Sequence, residues 1–319
     1  MPTRRTMLAA PCIALSAATP RPGQAQARPV TITVPFPPGG STDVTARVLA
    51  ERMAGPLGLP VQVENRPGAA TVIGADYVAR SAPDGHNVLI ASGSTLTINP
   101  HIVRNLSYRL EDFSPVTLVS TLPFAIVARP DGPADLPALM ARAAARPGTI
   151  TYGTNGPSSF NNIAMLLVNE AFSVRMQDVT YRGDSAQVAD LLGGRLDLLV
   201  VGGATGLALH RGGTGRILAW TGERRMPGNE EVPLVADFKP DVVAQTWFGL
   251  LVPARSPAGM IERISQAAVQ VIRGDDFRGR MLNEGMFAAG STPAEFGHFL
   301  TRESHRWGPL LRRLELQAG

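Results

Sequence analysis

The stretch between Val30 and Met53 constrains this chain most. Val30, Ile32, Val34 and Phe36 alternate with Thr31, Thr33 and Pro35, the two-residue period of a strand. Pro37-Pro38-Gly39-Gly40 ends that alternation and turns the chain. Ser41, Thr42 and Asp43 are residue types that open helices, and Val44, Val48, Leu49 and Met53 then recur at helical spacing. A Gly-rich turn feeding a helix leaves several backbone N–H groups unpaired and aimed one way. The helix dipole adds about half a positive charge there. Such a loop suits an anion, most simply a carboxylate, with Phe36 as an apolar wall. The same residues also make an ordinary turn and cap. Asp43 favours the helix dipole, and Arg47 stands where it pairs with Asp43 at i,i+4. No Lys follows the glycines, so this is not a nucleoside-triphosphate loop.

The pattern recurs. Residues 59–64 read as a second strand, 72–80 as a small-residue helix, and 88–91 as a short buried strand ending at Ser92-Gly93-Ser94-Thr95. Residues 118–128 hold two apolar runs broken at Thr121-Leu122-Pro123, and 136–145 read as a helix stopped by Pro147-Gly148. Residues 150–153 form a strand running into Thr154-Asn155-Gly156-Pro157-Ser158-Ser159 and a helix through Asn161, Met165, Leu166, Val168 and Phe172. That repeats the design of residues 34–47. Tyr181-Arg182-Gly183-Asp184-Ser185 opens a third helix of this kind, stopped by Gly193-Gly194. Strands follow at 196–201 and 216–221, and Trp247-Phe248-Gly249-Leu250-Leu251-Val252-Pro253 carries the chain back to its first half. Ser256-Pro257 opens a helix to about residue 273. Thr292-Pro293-Ala294-Glu295 is a capping box, continued by Phe296, Phe299, Leu300, Glu303 and Trp307 on one face, expected to pack on a lobe. Alternating strands and helices argue for βαβ units around parallel sheet. Two anion-ready loops suggest two similar lobes facing each other.

Composition excludes several classes. Of 30 basic residues only Lys239 is Lys; the rest are Arg, they form no tract, and few aromatics lie among them, so nucleic-acid binding is not indicated. Arg4-Arg5, an apolar run from Met7 to Ala18 and Ala25-Gln26-Ala27 make residues 1–27 a signal peptide cleaved near Ala27. Thr3-Arg4-Arg5-Thr6-Met7-Leu8 also fits a twin-arginine signal. The one cysteine, Cys12, falls in that segment, so the mature chain from Arg28 has no disulfide and no thiol chemistry. No later apolar run reaches a membrane span. G-x-S-x-G, S-x-x-K, H-E-x-x-H and paired-Cys patterns are absent, and the five histidines are scattered. No catalytic residue, metal or cofactor is called.

Pro35-Phe36-Pro37-Pro38-Gly39-Gly40-Ser41-Thr42-Asp43 resembles the opening signature of the Bug receptors, the substrate-binding family of tripartite tricarboxylate transporters. The likeness continues through Glu64-Asn65-Arg66-Pro67-Gly68-Ala69, Ile73-Gly74-Ala75, Ala82-Pro83-Asp84-Gly85, Tyr152-Gly153-Thr154 and Tyr181-Arg182-Gly183. It closes with Asp190-Leu191-Leu192-Gly193-Gly194, Trp247-Phe248-Gly249-Leu250 and Thr292-Pro293-Ala294-Glu295-Phe296. The resemblance implies an α/β, two-lobe periplasmic-binding (type II) fold, each lobe a mostly parallel sheet flanked by helices. Its expected divisions are 28–124 for the first segment of lobe I, 125–247 for lobe II, and 248–319 for the rest of lobe I with the C-terminal helix. It implies a small organic carboxylate clamped by backbone N–H groups, hydroxyls and waters rather than by a dedicated Arg. By position, Phe36, Gly40, Ser41 and Asp43 match the first loop, Asn155, Ser158 and Ser159 the second, and Ser94 and Thr95 a contact at the third strand's end. Gly183 and Asp184 match the distal end of the ligand. The chain departs from the family pattern at Ala70-Thr71, Asn162 and Ser185, which leaves the solute open.

The leading expectation is therefore a periplasmic, monomeric solute receptor, not an enzyme, that hands a carboxylate to membrane permease subunits or to a sensor kinase. The alternatives are a ligand-sensing or scaffold protein of the same fold and an exported hydrolase. A DNA-binding regulator is disfavoured, because a signal peptide stands where its DNA-binding helices would be.

Overall fold

The computed structural model describes residues 28–157, 159–181 and 183–313. The signal-peptide reading and Ser158 lie outside the described residues. The chain opens with β1 (Val30–Val34), α1 (Ser41–Leu57), β2 (Val61–Asn65), α2 (Val72–Ala79) and β3 (Asn87–Ser92). A π turn over Ser94–Ile98 leads into the short α3 (Asn99–Ile102), then β4 (Phe113–Ala128), α4 (Leu136–Ala145), β5 (Thr151–Thr154), α5 (Phe160–Ala171), β6 (Gln177–Thr180) and α6 (Asp184–Leu192). The rest is β7 (Leu198–Gly202), α7 (Gly203–Arg211), β8 (Arg216–Trp220), β9 (Gln245–Pro253), α8 (Ala258–Ile272), α9 (Asp275–Asn283), β10 (Phe287–Ala288) and α10 (Pro293–Arg313).

The main strands run in the order β2-β1-β3-β9-β4-β7-β5-β6. Two parallel blocks, β2-β1-β3 and β7-β5-β6, lie at its ends, as the alternating pattern requires. Between them β4 and β9 run antiparallel, because they carry the chain out of one half and back. The apolar runs at 118–128 prove to be one strand rather than two. β4 pairs with β9 from Phe113 to Pro123, then changes partner and pairs with β7 and β8 from its Phe124–Ala128 end. Pro123 stands at the last rung beside β9, where its missing N–H ends one ladder and the next begins.

Helices cover both faces of each half. One face of the first half buries Val48, Leu49 and Met53 of α1 and Ile264, Ala268 and Ile272 of α8 against β1, β3 and β9. Its other face holds Trp247 with Phe296 and Leu300 of α10. In the second half α4 and α5 pack on Ile126, Leu198 and Val200. The opposite face gathers Leu207, Ile217 and Trp220. Of the apolar positions that recur along α1, Val48, Leu49 and Met53 pack inward, the stripe that fixes an amphipathic helix, while Val44 is half-buried. The capping box also forms: Thr292 N donates to Glu295 Oε2 at 2.8 Å and Glu295 N to Thr292 Oγ1 at 3.2 Å. Its helix, expected on one lobe, touches both. No helix among the described residues is long and apolar enough to cross a membrane.

Candidate ligand cleft

The carboxyl ends of β1, β3 and β5 open into one cleft of about 470 Å³. Open α/β sheets place ligand sites there, outside the strand ends, where backbone polar groups are free. α1 enters with Gly40 as N-cap, and its first helical bond runs from Val44 N to Gly40 O at 3.0 Å. The amides of Ser41, Thr42 and Asp43 precede that bond and have no acceptor inside the helix. α5 enters the same cleft with Ser159 as N-cap, and its first bond joins Ile163 N to Ser159 O at 3.1 Å. The amides of Phe160 and Asn161 are likewise left over. Two positive helix ends therefore meet one cavity.

Of the residues singled out by sequence, Phe36, Gly40, Ser41, Ser94, Asn155 and Ser159 line the cleft. The hydroxyls of Ser41 and Ser94 have no hydrogen-bond partner among the described residues. Asn155 Oδ1 accepts from Gln187 Nε2 at 2.8 Å, so the fully buried Gln187 of α6 holds the second loop. The Ser159 hydroxyl is turned to Gly156 O.

The others stand behind the lining. Asp43 is buried and binds its own loop, taking Gly39 N at 2.9 Å, Arg47 Nε at 2.9 Å and Asn65 Nδ2 at 2.8 Å. Burial alone raises its carboxyl, but these donors outweigh that and hold it below its ordinary value. The i,i+4 pair with Arg47 that the sequence suggests forms, and the same carboxylate holds the loop through Gly39 N. Thr95 is fully buried, its hydroxyl 3.1 Å from that of Ser92. Gly183, with φ 105°, caps α6, and Asp184 accepts from Thr205 Oγ1 at 3.2 Å; neither lines the cavity.

Sequence reasoning missed the floor. Leu122, Phe124, Thr246, Phe248 and Phe160 line the cleft from β4, β9 and α5. Phe124 and Phe160 stack with centroids 6.4 Å apart. Leu122, Phe124 and Phe248 sit in apolar runs and read as core, and only the crossing of β4 and β9 brings them beneath the loops; Phe160 is placed there by the start of α5. No charged side chain lines the cleft among the described residues. An anion bound here would rest on amides, hydroxyls and the two helix dipoles, a set suited to holding a carboxylate and offering no general acid or base. No group of acidic, His or Cys side chains able to hold a metal is found among the described residues.

The model of the tripartite tricarboxylate transporter family receptor matches residues 45–316. The chain belongs to that family. It is 33% identical over 290 residues to the protein BugT of Bordetella pertussis, covering 90% of this chain and 89% of that one. The periplasmic binding protein BugD superposes with a TM-score of 0.77 at 26% identity, covering 91% of this chain and 98% of that one. A Rhodopseudomonas palustris protein solved with adipate gives 0.79 at 26% identity, covering 89% and 96%. MatC of the same organism, solved with bound malate, gives 0.76 at 26%, covering 89% and 99%. The tripartite receptors are periplasmic solute-binding proteins of two-lobe fold, not enzymes, and some of them hold carboxylates.

Proposed function

We propose that this chain is an exported solute receptor that captures a small organic carboxylate between two lobes and delivers it to a tripartite tricarboxylate-type membrane transporter. Residues 1–27 direct export and are removed near Ala27. Residues 28–124 and 248–319 form one lobe and 125–247 the other. Phe36, Gly40, Ser41, Ser94, Asn155, Ser158 and Ser159 meet the acid. Asp43 and Thr95 hold the loops that do so, and Gly183 and Asp184 close on its distal end. The observation that carries the reading is the meeting of the α1 and α5 N-termini at one uncharged, phenyl-floored cleft. Each first turn supplies free amides, and lobe closure brings both sets onto one solute.

The test is a thermal-shift screen of protein stripped of co-purified ligand against malate, adipate, succinate, citrate, benzoate and amino acids. An acid at about a thousand times its dissociation constant adds roughly 4 kcal/mol of stability. The expected result is a rise of several degrees with one class of acid, lost when Ser41→Trp closes the first loop. Folded protein that responds to no acid overturns the reading.

A further inference from the structure

Helix α10 ties the two halves together, and it does so directly beneath the cleft. Its first turns belong to the first half: Phe296 lies against Trp247 at 5.6 Å between centroids and covers Gly249 of β9, where a Cβ would come within 2.1 Å of the Phe296 ring. Its last turns lie against the π turn and α3, where Gly308 faces the His101 ring, and from there reach the second half. Trp307 and Leu311 are buried with Phe160 and Ile163 of α5, Arg313 Nη2 donates to Glu170 Oε2 at 2.8 Å, and Arg306 donates to the Val243 carbonyl. Pro309 lies within these turns, where its missing N–H removes one helical bond.

Phe160 is the residue on which both arrangements converge. It is the first residue of α5, so its backbone carries one of the free amides, and its ring lines the cleft. One ring edge seats on Gly93, at the end of β3 in the other half: a Cβ there would lie 2.9 Å from Phe160 Cε2. Trp307 meets the same ring T-shaped, with centroids 4.8 Å apart at 77°. Trp307 is itself pinned. It has no exposed surface, and its indole Nε1–H donates to Glu303 Oε2 at 2.8 Å, one turn earlier on α10.

We propose that Trp307 is a positioning residue for ligand capture: it holds Phe160 in its seat on Gly93 and so sets where the α5 amides point and how the two halves meet. The proposal rests on the receptor reading for its effect on affinity, but its effect on lobe geometry does not. Trp307 lines no part of the cleft; it meets the lining through the ring of Phe160.

The experiment uses the full chain with Cys12→Ser and spin labels at Glu51→Cys and Ala189→Cys, exposed positions on α1 and α6. Interlobe distances are measured without ligand for the labelled parent, Trp307→Ala, Trp307→Phe and the control Trp220→Phe, a buried indole in the core away from the cleft. Trp307→Leu takes the place of Trp307→Ala if the latter does not fold. The expected result is a shifted, broader distance distribution in Trp307→Ala, largely restored in Trp307→Phe, which keeps a ring on Phe160, and unchanged in Trp220→Phe. An unchanged distribution in folded Trp307→Ala overturns the proposal. Calorimetric titration with malate and adipate adds the second readout: an acid that binds the parent is expected to lose about tenfold in affinity in Trp307→Ala and less in Trp307→Phe. Equal affinity overturns the link to capture. A changed distance with neither acid bound by the parent sustains the positioning role and removes these two acids from the receptor reading.

Discussion

At the scale of single residues, positions with no cleft surface govern the first loop and the turn at residues 69–71. Asp43 gathers Gly39, Arg47 and Asn65, so the loop that offers the α1 amides is built around one carboxylate. Asp43→Asn keeps the size but loses the charge-assisted bonds, and is expected to cost about 1–3 kcal/mol of stability as well as ligand affinity. Because the folded carboxyl titrates below its ordinary value of 3.8, its contribution is fully present above that value. It is lost as pH falls through the folded value. Urea midpoints of wild type and Asp43→Asn should therefore differ at pH 7 and converge in strong acid. Ala69, Ala70 and Thr71 form the second case, with φ of 45°, 52° and 79° in succession. A Cβ costs roughly 1–2 kcal/mol per residue in that region. The turn is held nonetheless, because Asn99 Nδ2 donates to Ala70 O at 2.7 Å. Ala70→Gly is expected to raise the urea midpoint by an amount worth up to about 1 kcal/mol with the slope unchanged; a fall would mean that the Ala70 methyl packs more than it strains.

At the scale of elements, α10 and β9 are fitted to each other where a single methyl matters. Phe296 occupies the space over Gly249 in a central strand, so Gly249→Ala drives backbone against a buried ring. The expected cost is about 1–3 kcal/mol, partly recovered by adding Phe296→Leu, as chemical denaturation of the double mutant would reveal. Further along, burial raises the Glu303 carboxyl above its ordinary value, against the pull of the Trp307 indole N–H and of Arg306. A raised folded value means stability that is whole below the ordinary range and lost as pH rises through the folded value. Glu303→Gln keeps an acceptor for Trp307 and removes that loss. It is expected to melt higher than wild type at pH 7, with the gap closing toward pH 4; thermal melts across that range decide it. A gap of opposite sign would mean that Glu303 gains more from Arg306 than burial takes away.

At the scale of the whole molecule, the architecture is a pair of parallel α/β halves sewn by two antiparallel strands and a helix. Bound solute should favour the closed arrangement, since only closure lets α1 and α5 share it. Solution scattering is expected to give a smaller radius of gyration with a bound acid than without. The repeated strand, polar loop and helix were legible in the chain because each depends on neighbours a few residues away: alternation at 30–36, Gly-Gly before Ser41, the capping box at Thr292. So were the family and the loops that line the cleft. The break read at Thr121-Leu122-Pro123 was not a break, since Pro123 fits at the rung where β4 changes partner, and that partner is far away in sequence. Sequence by itself thus determined the alternating α/β order and the two helix starts, at Ser41 and near Ser159, that open on the cleft. Only the tertiary structure decided that Leu122, Phe124, Phe160 and Phe248 are cleft floor rather than plain core, that Asp43 and Thr95 brace the loops from behind, and that α10 spans both halves. The reason is physical: hydrogen-bonded caps and turns are local, whereas which face of an apolar strand is covered depends on what the rest of the chain brings against it.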